Sequence, residues 1–145
     1  MKATGIIRRI DDLGRVVIPK EIRKMMRIRE GDPLEIYTES DGSVTFKRYV
    51  PISEKDYTKA KQILKAILPN DVHFALYDSY GDIREFTNFN QFAEEHRIER
   101  DFIPDGIYCI KEYYDVIGYL YIKGNVDKGI KQTAIDVLTA FYKED

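Results

Sequence analysis

"DDLGRVVIPKEIRK", residues 11 to 24, sets a short apolar run, Val16-Val17-Ile18-Pro19, between arginines. Three consecutive β-branched residues favour a strand. Gly14 ahead of them marks a tight connection, and Pro19 ends the strand. Proline also suits the first turn of a helix, where its missing N–H costs nothing. A strand this short, stopped by proline and followed at once by a charged helical stretch, is not stable alone. What it packs against decides the fold.

On the N-terminal side, "TGIIRRI" (4 to 10) reads as a strand bounded by Gly5 and the Asp11-Asp12 turn. On the C-terminal side, "KEIRKMMRI" (20 to 28) reads as a short helix with Ile22, Met25 and Met26 on one side, and Gly31 as its left-handed closing residue. "PLEIYT" and "SVTFKR" then flank "ESDG", a hairpin whose expected turn pair is Asp41-Gly42. The first fifty residues therefore predict β-β-α-β-β. A unit so small cannot bury enough apolar surface by itself. A second copy is the expected partner, with Val16 to Ile18 paired across a dimer interface in one shared barrel. Packing of this unit on its own C-terminal half is the lesser alternative.

"YVPISEKD" (49 to 56) marks a boundary, giving domains at 1–52 and 53–145. Ser53 and Asp56 predict a helix N-cap with an acidic first turn. Tyr57, Ala60, Ile63, Leu64, Ile67 and Leu68 follow at helical spacing, up to Pro69. Strands are expected at "VHFALYD", "IREFTN", "GIYCIKE" and "VIGYLYIKG", with a short helix around "NQFAEEH". A last helix from Asp127 carries Ile130, Ala134, Val137, Leu138 and Phe141 on one face. In "VIGYLYIK", strict alternation puts Val116, Gly118, Leu120 and Ile122 on one side and Ile117, Tyr119 and Tyr121 on the other. The order α-β-β-α-β-β-α fits a sensor-type domain on a central antiparallel sheet.

The charge is unevenly spread. The 145 residues carry a net −2, yet residues 1 to 29 hold nine Lys/Arg against three Asp/Glu, a local +6. A basic beginning on an otherwise acidic chain points to an anionic partner. No apolar run approaches the roughly 20 residues of a membrane span, and "MKATGIIRRIDD" does not resemble a signal peptide. The single cysteine, Cys109, cannot form an intramolecular disulfide, so a cytoplasmic location is expected.

No catalytic constellation is present in the pattern, and no cofactor or metal is implied. His73 and His96 lack partners at ligand spacing, and Cys109 lies in an apolar strand, where a buried inert thiol is the expectation. There is no phosphate loop, nucleophile elbow or HExxH. The clustered tyrosines of the second half are read as sheet packing, with a small-molecule effector pocket as the minority reading. The basic set is different: Arg8 and Arg9 end the first strand, Arg15 begins the second, and Arg23, Lys24 and Arg27 lie on the helix. The hairpin is expected to bring Arg8 and Arg15 together. Arginine's rigid fork can bridge phosphates or read guanine. A solvated charge belt paired with Asp11, Asp12 and Glu21 explains the counts equally well.

The stretch "MKATGIIRRIDDLGRVVIPKEIRK", followed by "IREGDPLEIY" and "VTFKRY", resembles the DNA-binding domain of the AbrB family of transition-state regulators, with a SpoVT-like arrangement of a further domain. The resemblance implies a mixed α and β fold: a swapped-hairpin β-barrel dimer, then an α+β GAF-like sensor domain with a central antiparallel sheet. It also implies transcription control, double-stranded DNA as partner and a homotetramer joined through the C-terminal domains. By position, the family's DNA-contacting bases fall on Arg8, Arg15, Arg23 and Lys24, with Arg9 at a further basic place. Lys24 departs from the more usual arginine, which favours phosphate contact over base reading there. At 145 residues the chain leaves a second domain that looks short for the GAF class. Antitoxins share the small swapped barrel, so toxin neutralisation is the alternative function; their usual disordered acidic tail has no match in the aromatic, periodic second half.

Overall fold

The computed structural model describes residues 2–88 and 97–143, so the expected helix at "NQFAEEH" and His96 lie outside the described residues. The chain divides into two compact units, Met1–Tyr49 and Val50–Asp145.

In the first unit, helix α1 spans Lys20–Met26. Pro19 stands one position before the helix, as its N-cap with φ −59° and ψ 151°, and its carbonyl accepts Arg23 N–H at 3.0 Å. The closing residue is not Gly31. Arg27 takes the left-handed conformation, φ 56°, and the backbone N–H groups of Arg27 and Ile28 return to the carbonyls of Lys24 and Arg23. The helix ends two residues before its apolar pattern does, so the reversal falls before any glycine arrives. Gly31, φ 88°, instead serves the turn from Arg29 to Asp32 that leads into the next strand. Strands β1 (Leu34–Thr38) and β2 (Val44–Arg48) pair antiparallel with Ile36 opposite Phe46. Gly42 at φ 91° turns the chain, and Asp41 Oδ1 accepts the Ser43 N–H at 2.9 Å, as the Asp-Gly pair predicted.

The strands expected at 4–10 and 15–18 are absent from the single chain: these residues are irregular and, apart from the half-buried Ile18, exposed. Across them the backbone is joined by Asp11 N–H to Arg15 O at 3.0 Å, with no further rung among the described residues. Between residues 2 and 49 not one residue is buried. Ile7, Leu13, Val17 and Met25 remain 87%, 72%, 71% and 78% exposed, so Met25 does not share a covered side with Ile22 and Met26. The β-branched pattern is real, but a strand needs a ladder partner, and the described residues supply none for it.

The second unit opens with α2 (Glu54–Ile67), capped by Ser53 Oγ accepting Asp56 N–H at 3.2 Å. Strands β3 (His73–Asp78), β4 (Ile83–Phe86), β5 (Ile107–Glu112) and β6 (Asp115–Lys123) form one antiparallel sheet in the order β4-β3-β6-β5. Helix α3 (Lys128–Lys143) follows. Both helices cover the same sheet face: Tyr57, Ala60 and Leu64 of α2 and Ala134, Leu138 and Tyr142 of α3 pack on Phe74, Leu76, Leu120 and Ile122. The opposite face collects Ala75, Tyr77, Tyr119 and Ile98, with Val116 and Tyr121 against them.

Strict alternation therefore fails at the start of β6. The register slips between Ile110 and Lys111, Ile110 facing Gly118 while Lys111 faces Val116. The extra residue, Ile117, turns to the helix side with Leu120, and Val116 turns to the other. Gly118 next to the bulge is a packing glycine: a Cβ there would lie 2.9 Å from Tyr77 O and 3.3 Å from the Tyr142 ring. Cys109 is half-buried, not fully covered, because β5 is the outer strand of the sheet.

Gly81 bears the tightest backbone approach. It sits at φ 88°, and a Cβ there would fall 2.1 Å from the Ile98 carbonyl oxygen. Gly81→Ala combines left-handed strain with a backbone overlap that no rotamer relieves. It is expected to destabilise the second unit by about 2–4 kcal/mol, read as a lower urea midpoint in the full chain.

Candidate nucleic-acid interface

The turn from Asp11 to Arg15 is organised by one carboxylate. Asp11 Oδ1 accepts the backbone N–H of Leu13 at 2.9 Å and of Arg15 at 2.7 Å. Its Oδ2 accepts Arg15 Nε at 2.8 Å, and its carbonyl accepts Gly14 N–H at 3.1 Å. Gly14, at φ 81°, makes the reversal without strain. The backbone and side chain of Arg15 hold the Asp11 carboxyl below its ordinary value of 3.8. The turn's electrostatic support is thus complete above that ordinary value and is lost as pH falls through the lower folded one.

Arg8, Arg9, Arg15, Arg23 and Lys24 are all exposed. Arg8 Nη1 donates to the Ile7 carbonyl at 3.0 Å. Among the described residues, the side chains of Arg9, Arg23 and Lys24 make no hydrogen bond or ion pair. Arg23 and Lys24 are neighbours in the last turn of α1, where cations also complement the helix dipole. The structure ties Arg15 to the turn and sets Arg23 beside Lys24. The hairpin arms expected to bring Arg8 to Arg15 form no ladder among the described residues.

The charge-belt reading is realised at one place only. Asp11 pairs with Arg15, whereas Asp12 and Glu21 form no ion pair among the described residues. The anchoring role of Asp11 was not singled out from the sequence, although an Asp two and four residues ahead of turn N–H groups is the pattern of an Asx turn.

The second unit offers less. Its tyrosines do not converge on one place: Tyr119 is buried on the sheet, while Tyr113 and Tyr114 are 89% and 97% exposed in the turn between β5 and β6. An open cleft of about 200 Å³ is lined by Lys65, Leu68, Asn70, His73, Phe74 and Thr87. His73 Nδ1 lies 3.4 Å from Thr87 Oγ1. No group of three His, Cys, Asp or Glu residues among the described residues could hold a metal ion. No helix among them is long and apolar enough to cross a membrane.

Residues 7–51 match the family of the antidote-toxin recognition protein MazE, a bacterial antitoxin. Stage V sporulation protein T of Bacillus subtilis (strain 168) is 60% identical over 82 residues, covering 56% of this chain and 40% of that protein. The transition state regulatory protein AbrB of the same organism is 53% identical over 51 residues, covering 35% of this chain and 52% of the relative. The chain thus spans about half the length, or less, of these curated relatives. The solution structure of the N-terminal DNA recognition domain of Bacillus subtilis AbrB aligns with 34% of this chain and 91% of that domain, at 51% identity and a TM-score of 0.29. The N-terminal unit of this chain is a domain of the MazE/AbrB type.

Proposed function

We propose that the chain is a DNA-binding transcriptional regulator of the AbrB/SpoVT type, acting on stationary-phase or sporulation genes. The observation that carries this reading is the row of exposed cations left without a protein partner, Arg9, Arg23 and Lys24, beside the tethered Arg15, within the segment matched to the family. Cations held clear of carboxylates suit a polyanion, and arginine and lysine divide the work between base edges and phosphates. That residues 2 to 49 include no fully buried residue supports an interleaved dimer, in which the arms at 4–10 and 15–18 find their ladder in a second copy. Such a dimer doubles the basic set. In this reading the second unit, GAF-like in its element order, joins dimers into a tetramer. Two linked heads then engage one operator with an avidity gain on the order of 10²–10⁴.

The direct test is duplex binding across a salt series. Wild type is expected to weaken steeply with salt. Arg23→Ala, removing one contact per copy and two per dimer, should flatten the log–log slope by about 1.8. Unchanged slope and affinity for separate substitutions at Arg8, Arg9, Arg15, Arg23 and Lys24 would place the DNA surface elsewhere.

The family description favours one second reading, toxin neutralisation. Here the chain after Tyr49 is a folded sheet with two helices over it, unlike an extended acidic tail. Co-purification with a candidate toxin, in the absence of DNA binding, would favour the antitoxin.

A further inference from the structure

We propose that Asp11 is a positioning residue for DNA recognition: it clamps the Arg15 guanidinium by Nε, leaving Nη1 and Nη2 as a preset pair of donors for a guanine edge. The inference rests on the DNA-binding reading above and names how one of its arginines is aimed.

Three donors converge on this carboxylate, and they separate by role. Leu13 N–H and Arg15 N–H meet Oδ1 at 2.9 and 2.7 Å and shape the turn. Arg15 Nε meets Oδ2 at 2.8 Å and does nothing for the backbone. It fixes the plane of the guanidinium instead. The Arg15 side chain is 71% exposed, and its two terminal nitrogens have no partner among the described residues. An arginine free in solvent must give up several rotatable bonds to make a two-pronged contact. One already held at Nε, its fork outward, has given up much of that freedom before DNA arrives. Guanine presents two acceptors, O6 and N7, that match such a fork. The clamp also opposes loose binding, since a carboxylate beside the phosphate backbone repels it. Asp11 therefore trades general affinity for discrimination.

Asp11→Asn separates the two roles. Asparagine keeps an oxygen for the Leu13 and Arg15 N–H groups, so the turn persists. Its second atom becomes an N–H₂ that cannot accept from Arg15 Nε. The full-length chain is measured on two duplexes of equal length: one enriched by the wild-type protein from a random pool, one unselected. The variant is expected to keep its melting temperature and bind the unselected duplex as well as wild type or better. Its preference for the enriched duplex should fall about 5- to 100-fold. Replacing single guanines of that duplex by 7-deazaguanine, which lacks the N7 acceptor, should weaken wild type at one position per copy and leave the variant indifferent there. In an Arg15→Lys background, which has no Nε to clamp, Asp11→Asn should have no further effect on preference.

An Asp11→Asn variant with wild-type preference, while Arg15→Ala loses it, would overturn the proposal and leave Asp11 as a turn-former. Equal loss on both duplexes with a lowered melting temperature would do the same. If Arg15→Ala also binds both duplexes like wild type, Arg15 lies outside the interface and the DNA reading itself needs revision.

Discussion

Arg84→Ala is expected to destabilise the second unit by about 3–5 kcal/mol, although it removes a side chain that is 24% exposed and lies outside the apolar core. The reason is Asp78, which is fully buried at the end of β3. Arg84 Nη2 and Nε lie 2.6 and 2.8 Å from Asp78 Oδ2, while Oδ1 accepts the backbone N–H groups of Tyr80 at 2.9 Å and Asp82 at 3.1 Å. Alanine at 84 leaves the backbone bonds but strands a buried negative charge without its cation. The outer contact, Arg84 Nη1 to Glu54 Oε1 at 2.8 Å, adds little, because Glu54 is 77% exposed. Two controls separate these contributions. Glu54→Gln should change stability by less than about 1 kcal/mol. Adding Asp78→Asn to Arg84→Ala should recover a substantial part of the loss, since a neutral amide has less to lose by burial. Urea denaturation of the three variants reads the result. A loss in Arg84→Ala no larger than in Glu54→Gln would mean that solvent already reaches Asp78.

This network also marks where the sequence stopped being informative. Asp78 and Arg84 are six residues apart across the "SYGD" turn, and nothing in their spacing distinguishes them from other surface charges. Only the turn's tight return, with Asp78 N–H to Asp82 O at 2.9 Å, brings them together. By contrast, the stripes of the two long helices and the strands β3, β5 and β6 are legible because each is a long apolar stretch bounded by turn residues, whereas the four-residue β4 shows no repeating period. Even in the helices the period left out one aromatic residue. Tyr142 is fully covered, because α3 presents Ala134, Leu138 and Tyr142 to the sheet at a spacing of four, while Phe141 packs half-buried against the same core, as its place in the stripe predicts. The Tyr142 ring meets that of Tyr57 edge-on at 5.9 Å. Burial raises both phenols above their ordinary range, so both stay protonated through the neutral range. The shift of Ile117 to the helix side was invisible for a related reason, since a bulge depends on the partner strand and leaves no local signature.

The basic site was legible as a set of residues and not as an arrangement. Arg8, Arg9, Arg15, Arg23 and Lys24 stand out by charge and by resemblance, yet how the arms at 4–10 and 15–18 align is a property of pairing, and one copy does not pair them. Asp11 could have been found from its turn spacing. What it holds could not, because the sequence does not say which of three nearby acids meets Arg15.

Val17→Asp is expected to have the largest functional effect. Val17 is 71% exposed in the single chain, so a reading confined to one copy predicts a harmless change, a new surface carboxylate beside arginines. The interleaved dimer predicts the reverse. Ile7, Leu13 and Val17 are apolar and uncovered, no residue between 2 and 49 is fully buried, and a shared barrel is the arrangement that would cover them. There each aspartate enters an apolar site, costing several kcal/mol per copy, and the two-fold axis applies the penalty twice. Loss of the shared barrel separates its two basic sets, so duplex affinity should fall by about 10²-fold or more, the order of gain that joining two binding surfaces provides. The second unit is compact by itself and should keep its melting transition, which separates lost assembly from general unfolding. Sedimentation of the full chain and duplex binding at fixed salt read the two arms. An unchanged mass together with unchanged affinity would mean that Val17 faces solvent in the assembled protein too, and that the apolar run between the arginines is covered by something other than a second copy.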